Sequence, residues 1–136
     1  MERFFSRIQK EELIFSILKR EQITEKRIDV SPDKEYMQVC GRIMNHGFNV
    51  APHKHLKIHR ETTLTQESWV VLKGKVRASF YDVDDTFLCD RIIESGDVVV
   101  FYRGGHSLEV LDDGTIFYEF KNGPYYGVSE DKVDIS

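Results

Sequence analysis

The stretch Glu67-Ser68-Trp69-Val70-Val71-Leu72-Lys73-Gly74-Lys75-Val76-Arg77-Ala78-Ser79-Phe80-Tyr81-Asp82 reads as two short β-rich runs split by a Lys73-Gly74 turn. Its valines and aromatics suit a pleated, half-buried surface, and no apolar period near 3.6 runs through it. The same grammar extends in both directions. Strands are predicted near Tyr36–Met44, Val50–His55, Ser68–Leu72, Lys75–Asp82, Phe87–Ile93, Asp97–Tyr102, His106–Leu111 and Thr115–Lys121. Asn45-His46-Gly47, Asp84-Asp85, Ser95-Gly96, Arg103-Gly104-Gly105 and Asp112-Asp113-Gly114 punctuate them as turn signals. About eight short strands in one domain predict an all-β antiparallel barrel or two-sheet jelly roll.

Upstream of Ser31-Pro32-Asp33 the pattern differs. Phe4, Phe5, Ile8, Phe15, Ile17 and Leu18 lie among charges between residues 2 and 21, which predicts an N-terminal α-helix with one apolar face. The expected organisation is a helical segment at 1–30, the strand domain at 31–121 and a surface tail at 122–136.

A chain of 136 residues is the size of one domain. Lys and Arg number 19 against 23 Asp and Glu, a net charge of −4, which provides no electrostatic footprint for nucleic acid or an anionic membrane. Hydrophobic residues at 40% and aromatics at 12% argue for a packed core. The opening MERFFSRIQKEE does not read as a secretory signal, and Cys40 and Cys89 form no CxxC pair. Both point to a cytoplasmic protein with reduced thiols.

Four of the five histidines, His46, His53, His55 and His59, fall between positions 46 and 59. On a strand, His53 and His55 share a face. Glu67 opens one strand whose same-face neighbours are Trp69 and Val71, and His106 opens another with Leu108 and Val110. In a barrel the apolar neighbours fill the interior, and the polar groups meet near one mouth. Three imidazoles and a carboxylate suit a divalent ion such as Fe, Mn, Ni, Co or Zn. Without a metal, the imidazoles suit proton transfer.

The stretch Gly47-Phe48-Asn49-Val50-Ala51-Pro52-His53-Lys54-His55 resembles the first motif of the cupin superfamily, a glycine, five residues, then H-x-H. Glu67, with six residues before Gly74, is similar to that motif's second half, and Gly96 with His106 ten positions on resembles the second motif. The resemblance spans about positions 36 to 121 and implies a cupin double-stranded β-helix with His53, His55, Glu67 and His106 as metal ligands. The chain departs from the pattern in three places. Eleven residues separate His55 from Glu67, Tyr102 stands where a proline is usual, and Arg103-Gly104-Gly105 is one residue short. Glu61 is the alternative acid, although only Glu67 keeps the interval to the glycine. The segments Arg60–Leu72 and Tyr118–Tyr125 are similar to small bacterial cupins of the WbuC kind, found in gene clusters for surface polysaccharides. That narrower resemblance implies a sugar or nucleotide-sugar context.

Outside the ligand set, the polar stretch Lys57–Gln66 reads as a rim over the mouth. Arg60 there is a candidate for binding a phosphate or carboxylate, and Thr62, Thr63 and Gln66 for substrate hydroxyls. Tyr118 is a candidate catalytic acid, Lys121 a substrate-binding group, and Trp69 a core residue. The run Trp69-Val70-Val71-Leu72 needs cover on both faces, which fits a homodimer. The leading expectation is therefore a metal-dependent isomerase or epimerase acting on a carbohydrate-like small molecule. A non-haem iron dioxygenase and a non-catalytic sugar sensor are the alternatives.

Overall fold

The computed structural model describes residues 1–136. Its strands are β1 (Glu2–Phe5), β2 (Leu13–Leu18), β3 (Ile28–Asp29), β4 (Cys40–Gly41), β5 (Glu67–Lys73), β6 (Lys75–Tyr81), β7 (Phe87–Glu94), β8 (Val98–Phe101), β9 (Gly105–Val110) and β10 (Ile116–Lys121). One short helix, α1 (Val128–Asp131), follows them, and a single 3-10 turn lies at Arg20–Gln22. No helix is long and apolar enough to cross a membrane. The all-β expectation matches this architecture.

Two antiparallel sheets carry the fold. A five-stranded sheet runs β1-β2-β8-β5-β10, a three-stranded sheet runs β7-β6-β9, and β3 pairs only with β4. Strand β6 alternates strictly, with Val76, Ala78 and Phe80 buried and Arg77 and Ser79 turned outward. Those three meet Leu88 and Ile93 of β7 and, from the facing sheet, Phe15, Ile17, Trp69, Val71, Val99 and Phe101. Phe15 stacks on Phe80 across the sheets, ring centroids 3.6 Å apart. Burying a side chain of this size stabilises the fold by roughly 1.5–3 kcal/mol.

The β5–β6 hairpin turns at Gly74, whose φ of +75° favours glycine and whose missing side chain leaves room for Thr115. A second apolar layer covers the outer face of the large sheet. Leu13, Leu18, Val98, Val100 and Tyr102 pack there against Val30, Ile23, Ile28, Met37 and Val39 of the long crossing segment. Tyr102 Oη donates to Ser31 Oγ at 3.0 Å, and burial pushes the phenol upward in pKa despite that bond.

The N-terminal α-helix is a misreading. Residues 2–5 and 13–18 are strands, antiparallel to each other, and β2 sits inside the large sheet beside β8. Leu13-Ile14-Phe15-Ser16-Ile17-Leu18 is buried at all six positions, because apolar layers cover both faces. A strand covered on both sides shows a continuous apolar run, which periodicity does not separate from a buried helix. A register shift between Phe4 and Phe5 further breaks the alternation.

Six of the eight anticipated strands form close to their expected positions. The other two do not. Of Tyr36–Met44 only Cys40–Gly41 pairs, and Val50–His55 forms no strand. From Arg42 to Thr65 every residue is exposed.

The two long edges of the sandwich differ. On the β1/β7 side, Arg91 of β7 grips the Glu2 carboxylate of β1 through both Nε and Nη2 (2.7 Å for the shortest contact). Nearby, the buried Asp82 carboxylate accepts from Ser6 Oγ at 2.5 Å and from the Arg7 N–H at 2.7 Å. On the opposite side, β10 and β9 are edge strands with nothing paired beyond them.

Candidate functional site

The unlaced side of the sandwich holds an open cavity of about 890 Å³. Glu67 begins β5 and His106 lies near the start of β9, so strands from the two sheets bring these residues face to face across the cavity wall. His106 Nε2 stands 3.3 Å from Glu67 Oε1, with side-chain exposures of 28% and 15%. The same carboxylate oxygen accepts from Trp69 Nε1 at 2.6 Å.

Aromatics fix the imidazole. Phe101 stacks on it with centroids 4.0 Å apart, and Trp69 meets it edge-on at 5.4 Å. Burial works to raise the Glu67 pKa. Hydrogen bonds from His106 and Trp69, with the charges of His106 and Lys121, outweigh it and hold the carboxyl below its ordinary range.

Lys121, at the end of β10, also lines the cavity. Its ammonium bonds Asp131 Oδ2 at 2.8 Å and lies 4.7 Å from the centre of the Tyr125 ring. The Asp131 hydrogen bond raises the lysine's pKa. The residues from Asp131 to Ile135 form part of the cavity wall, and the Ile135 side chain occupies the space a side chain at Gly105 would fill. The tail therefore belongs to the site. Sequence reading placed it on the surface, since Asp131 and Ile135 carry no local pattern that reports a contact.

Beneath the cavity runs a buried polar chain. Arg103 Nη1 donates to Glu35 at 2.9 Å, Gln66 Nε2 donates to the same carboxylate at 2.7 Å, and Gln66 Oε1 accepts from the Met37 N–H at 2.8 Å. Gln66, 1% exposed, thus spends its amide inside the protein and holds the chain in place instead of facing a ligand. Arg103 and Glu35 were missed from sequence. Only an acid's burial would have flagged the pair, and burial is not a local property.

Of the remaining candidates, Tyr118 is 58% exposed. It shares the outer face of β10 with Phe120, whereas Glu119 and Lys121 face the cavity. The strand's alternation thus removes Tyr118 from any part in cavity chemistry. Thr62 and Thr63 line a separate cavity of about 200 Å³ with Asn122 and Tyr126. Arg60 is exposed and borders neither cavity. His46 and His59 are also exposed, and His59 Nε2 lies 3.6 Å from Glu61. Trp69 is core, as expected.

The four anticipated metal ligands form two pairs. His53 and His55 stand together on the exposed segment, ring centroids 5.5 Å apart, with His53 Nδ1 3.0 Å from the Ala51 carbonyl oxygen. Glu67 and His106 stand together on the sandwich. The two pairs do not converge, and no three His, Cys, Asp or Glu side chains come close enough to hold a metal ion. Each pair has donor chemistry suited to a divalent ion.

No family model matches the chain, and neither a curated protein nor a solved structure matches it.

Proposed function

We propose that this chain is a metal-binding cupin acting on a small carbohydrate-like molecule, with isomerase- or epimerase-type chemistry. The observation that carries the reading is the Glu67–His106 pair, a carboxylate held anionic beside an imidazole clamped between aromatic rings at a cavity wall. The cupin resemblance adds His53 and His55 as donors, on a segment that does not converge with this pair within one chain. Glu67 and His106 would hold a divalent ion at the cavity wall, and it would supply Lewis-acid polarisation of a carbonyl or hydroxyl oxygen.

The chain's own groups have separable roles. Trp69 and Phe101, buried in the core, close the cavity floor and hold His106 in place. Lys121 gives the rim a cation for an anionic group such as a sugar-nucleotide phosphate, once Asp131 yields it. Glu67, kept ionised by its neighbours, offers an anionic oxygen donor across the neutral pH range.

The test is metal content of protein purified without chelator, for the wild type, Glu67→Ala and His106→Ala. Stoichiometric metal in the wild type and loss in both variants supports the reading, while equal content in all three rejects it. Solvent deuterium entering a 4-keto nucleotide sugar supports isomerase chemistry. Oxygen uptake by the iron form replaces it with the dioxygenase alternative.

A further inference from the structure

We infer that Arg42–Thr65 is an exchange arm, and that it completes the open side of a second copy of this chain by pairing with β9 and β10 there. Four observations meet in this inference.

The arm is 24 consecutive exposed residues without a paired strand. Connections longer than about 12–15 residues without their own secondary structure are uncommon inside one domain. It displays Ile43, Phe48, Val50, Leu56, Ile58 and Leu64 to water, a composition suited to burial. Its hydrogen bonds to the body are few, the Tyr36 hydroxyl to the Glu61 carbonyl and Asn122 Nδ2 to the Leu64 carbonyl.

The second observation is a docking surface of matching kind. The Leu111 N–H bonds back to Lys75 of β6. By antiparallel alternation, the N–H and C=O groups of Val110, Leu108 and His106 then face away from β6 without a backbone partner, and the tail's Ile135 packs at the Gly105 end of the strand. Beside it, Ile116, Tyr118 and Phe120 form an exposed apolar stripe on β10. After the Asn45-His46-Gly47 turn the arm carries a β-rich run at Val50–His55, and the open side presents edges that such a run can extend.

Charge is the third. Arg42, Lys54, Lys57 and Arg60 against Glu61 give the arm a net +3, which leaves −7 on the rest of a chain whose total is −4. Opposite charge steers the arm onto the body of another copy. The fourth is reach. Between Ile43 and Arg60 the arm has no hydrogen bond to the body, while its ends are held by β4, by the contacts of Glu61–Thr65 and by Gln66 hydrogen-bonded to Asn122. Reciprocal exchange of such a segment closes a two-fold dimer in which the β9 and β10 edges are covered.

The exchange also joins the separated donor pairs. His53 and His55 of the partner subunit arrive at the mouth where Glu67 and His106 wait, so each site is built from two chains. This last clause rests on the metal-binding reading, whereas the pairing of arm with edge does not.

Two measurements separate them. Light scattering at micromolar concentration is expected to give twice the 15.9 kDa chain mass. Val110→Pro, which blunts the edge without removing a bond to β6, is expected to give a folded monomer whose amides at 50–58 exchange freely. A monomeric wild type overturns the exchange, whether its arm is free or protected on its own body. Should the proline variant fail to fold, concentration-dependent amide protection at 50–58 in the wild type decides the point.

The second measurement mixes a His53→Ala/His55→Ala chain with a Glu67→Ala/His106→Ala chain by joint refolding, and reads zinc uptake. Each variant alone binds none. If arms exchange, half the dimers are mixed and one of the two sites in each is intact, so uptake recovers to about one quarter of the wild type. No recovery in a dimer whose wild type binds zinc overturns the exchange. A wild-type dimer that binds no zinc, yet dissociates on Val110→Pro, keeps the exchange and rejects the metal reading.

Discussion

Glu67 and His106 occupy strands locked into a packed sandwich, whereas His53 and His55 occupy a segment that touches almost nothing. The residue types are equally good metal donors, so the difference lies in what holds them. The first pair inherits its geometry from strand pairing and from Trp69 and Phe101 packed around it. The second pair is brought together by chain spacing alone, since residues two apart in an extended backbone lie on one side. Local spacing therefore assembles a pair, but only packing places a pair against another pair.

The strongest way to sharpen this contrast is to damage the sandwich and watch whether only the rigid pair suffers. Phe80→Ala removes a fully buried ring stacked on Phe15. It is expected to lower unfolding free energy by about 3–5 kcal/mol, read by denaturant titration. A smaller loss is expected from Asp82→Asn, about 2 kcal/mol, because Ser6, Arg7 and Val83 all donate to that buried carboxylate.

Titration separates the two regions further. Burial works to raise the pKa of Asp82, but its donors outweigh it and hold the carboxyl below its ordinary range, as at Glu67. A carboxyl with a depressed folded pKa adds stability that is full above the unfolded value and fades as pH falls through the folded one. Thermal melts across the acid range should therefore show a shallower decline for Glu67→Gln than for the wild type. An unchanged slope would mean that Glu67 is not held by His106 and Trp69 as described.

The smallest effect belongs to the arm. His53→Ala and His55→Ala, at exposed positions, are expected to shift stability by no more than about 0.5 kcal/mol in the metal-free protein. A loss of several kcal/mol would break the comparison, since it would show that the imidazoles pack against something.

Much of the sandwich was legible because β6 alternates and because Gly74, Gly96 and the Asp112-Asp113-Gly114 turn mark strand ends. The first twenty residues were not legible. Whether Leu13–Leu18 forms a helix or a strand depends on the layers above and below it, and those come from residues dozens of positions away. The site was legible in part. The pattern singled out Glu67, His106 and Lys121, which line the cavity, but also Tyr118, which faces away, and Gln66, which is buried.

What the amino-acid order determined by itself is local: strand alternation, turns, the adjacency of His53 to His55 and the basic character of Arg42–Thr65. Each follows from backbone geometry over a few residues. The tertiary structure alone decided that Glu67 meets His106, that Arg103 and Gln66 share Glu35, that the C-terminal tail walls the cavity and that β9 and β10 stay open. Those contacts join residues far apart in the chain. They exist only where burying the core repays the entropy of bringing such distant segments together.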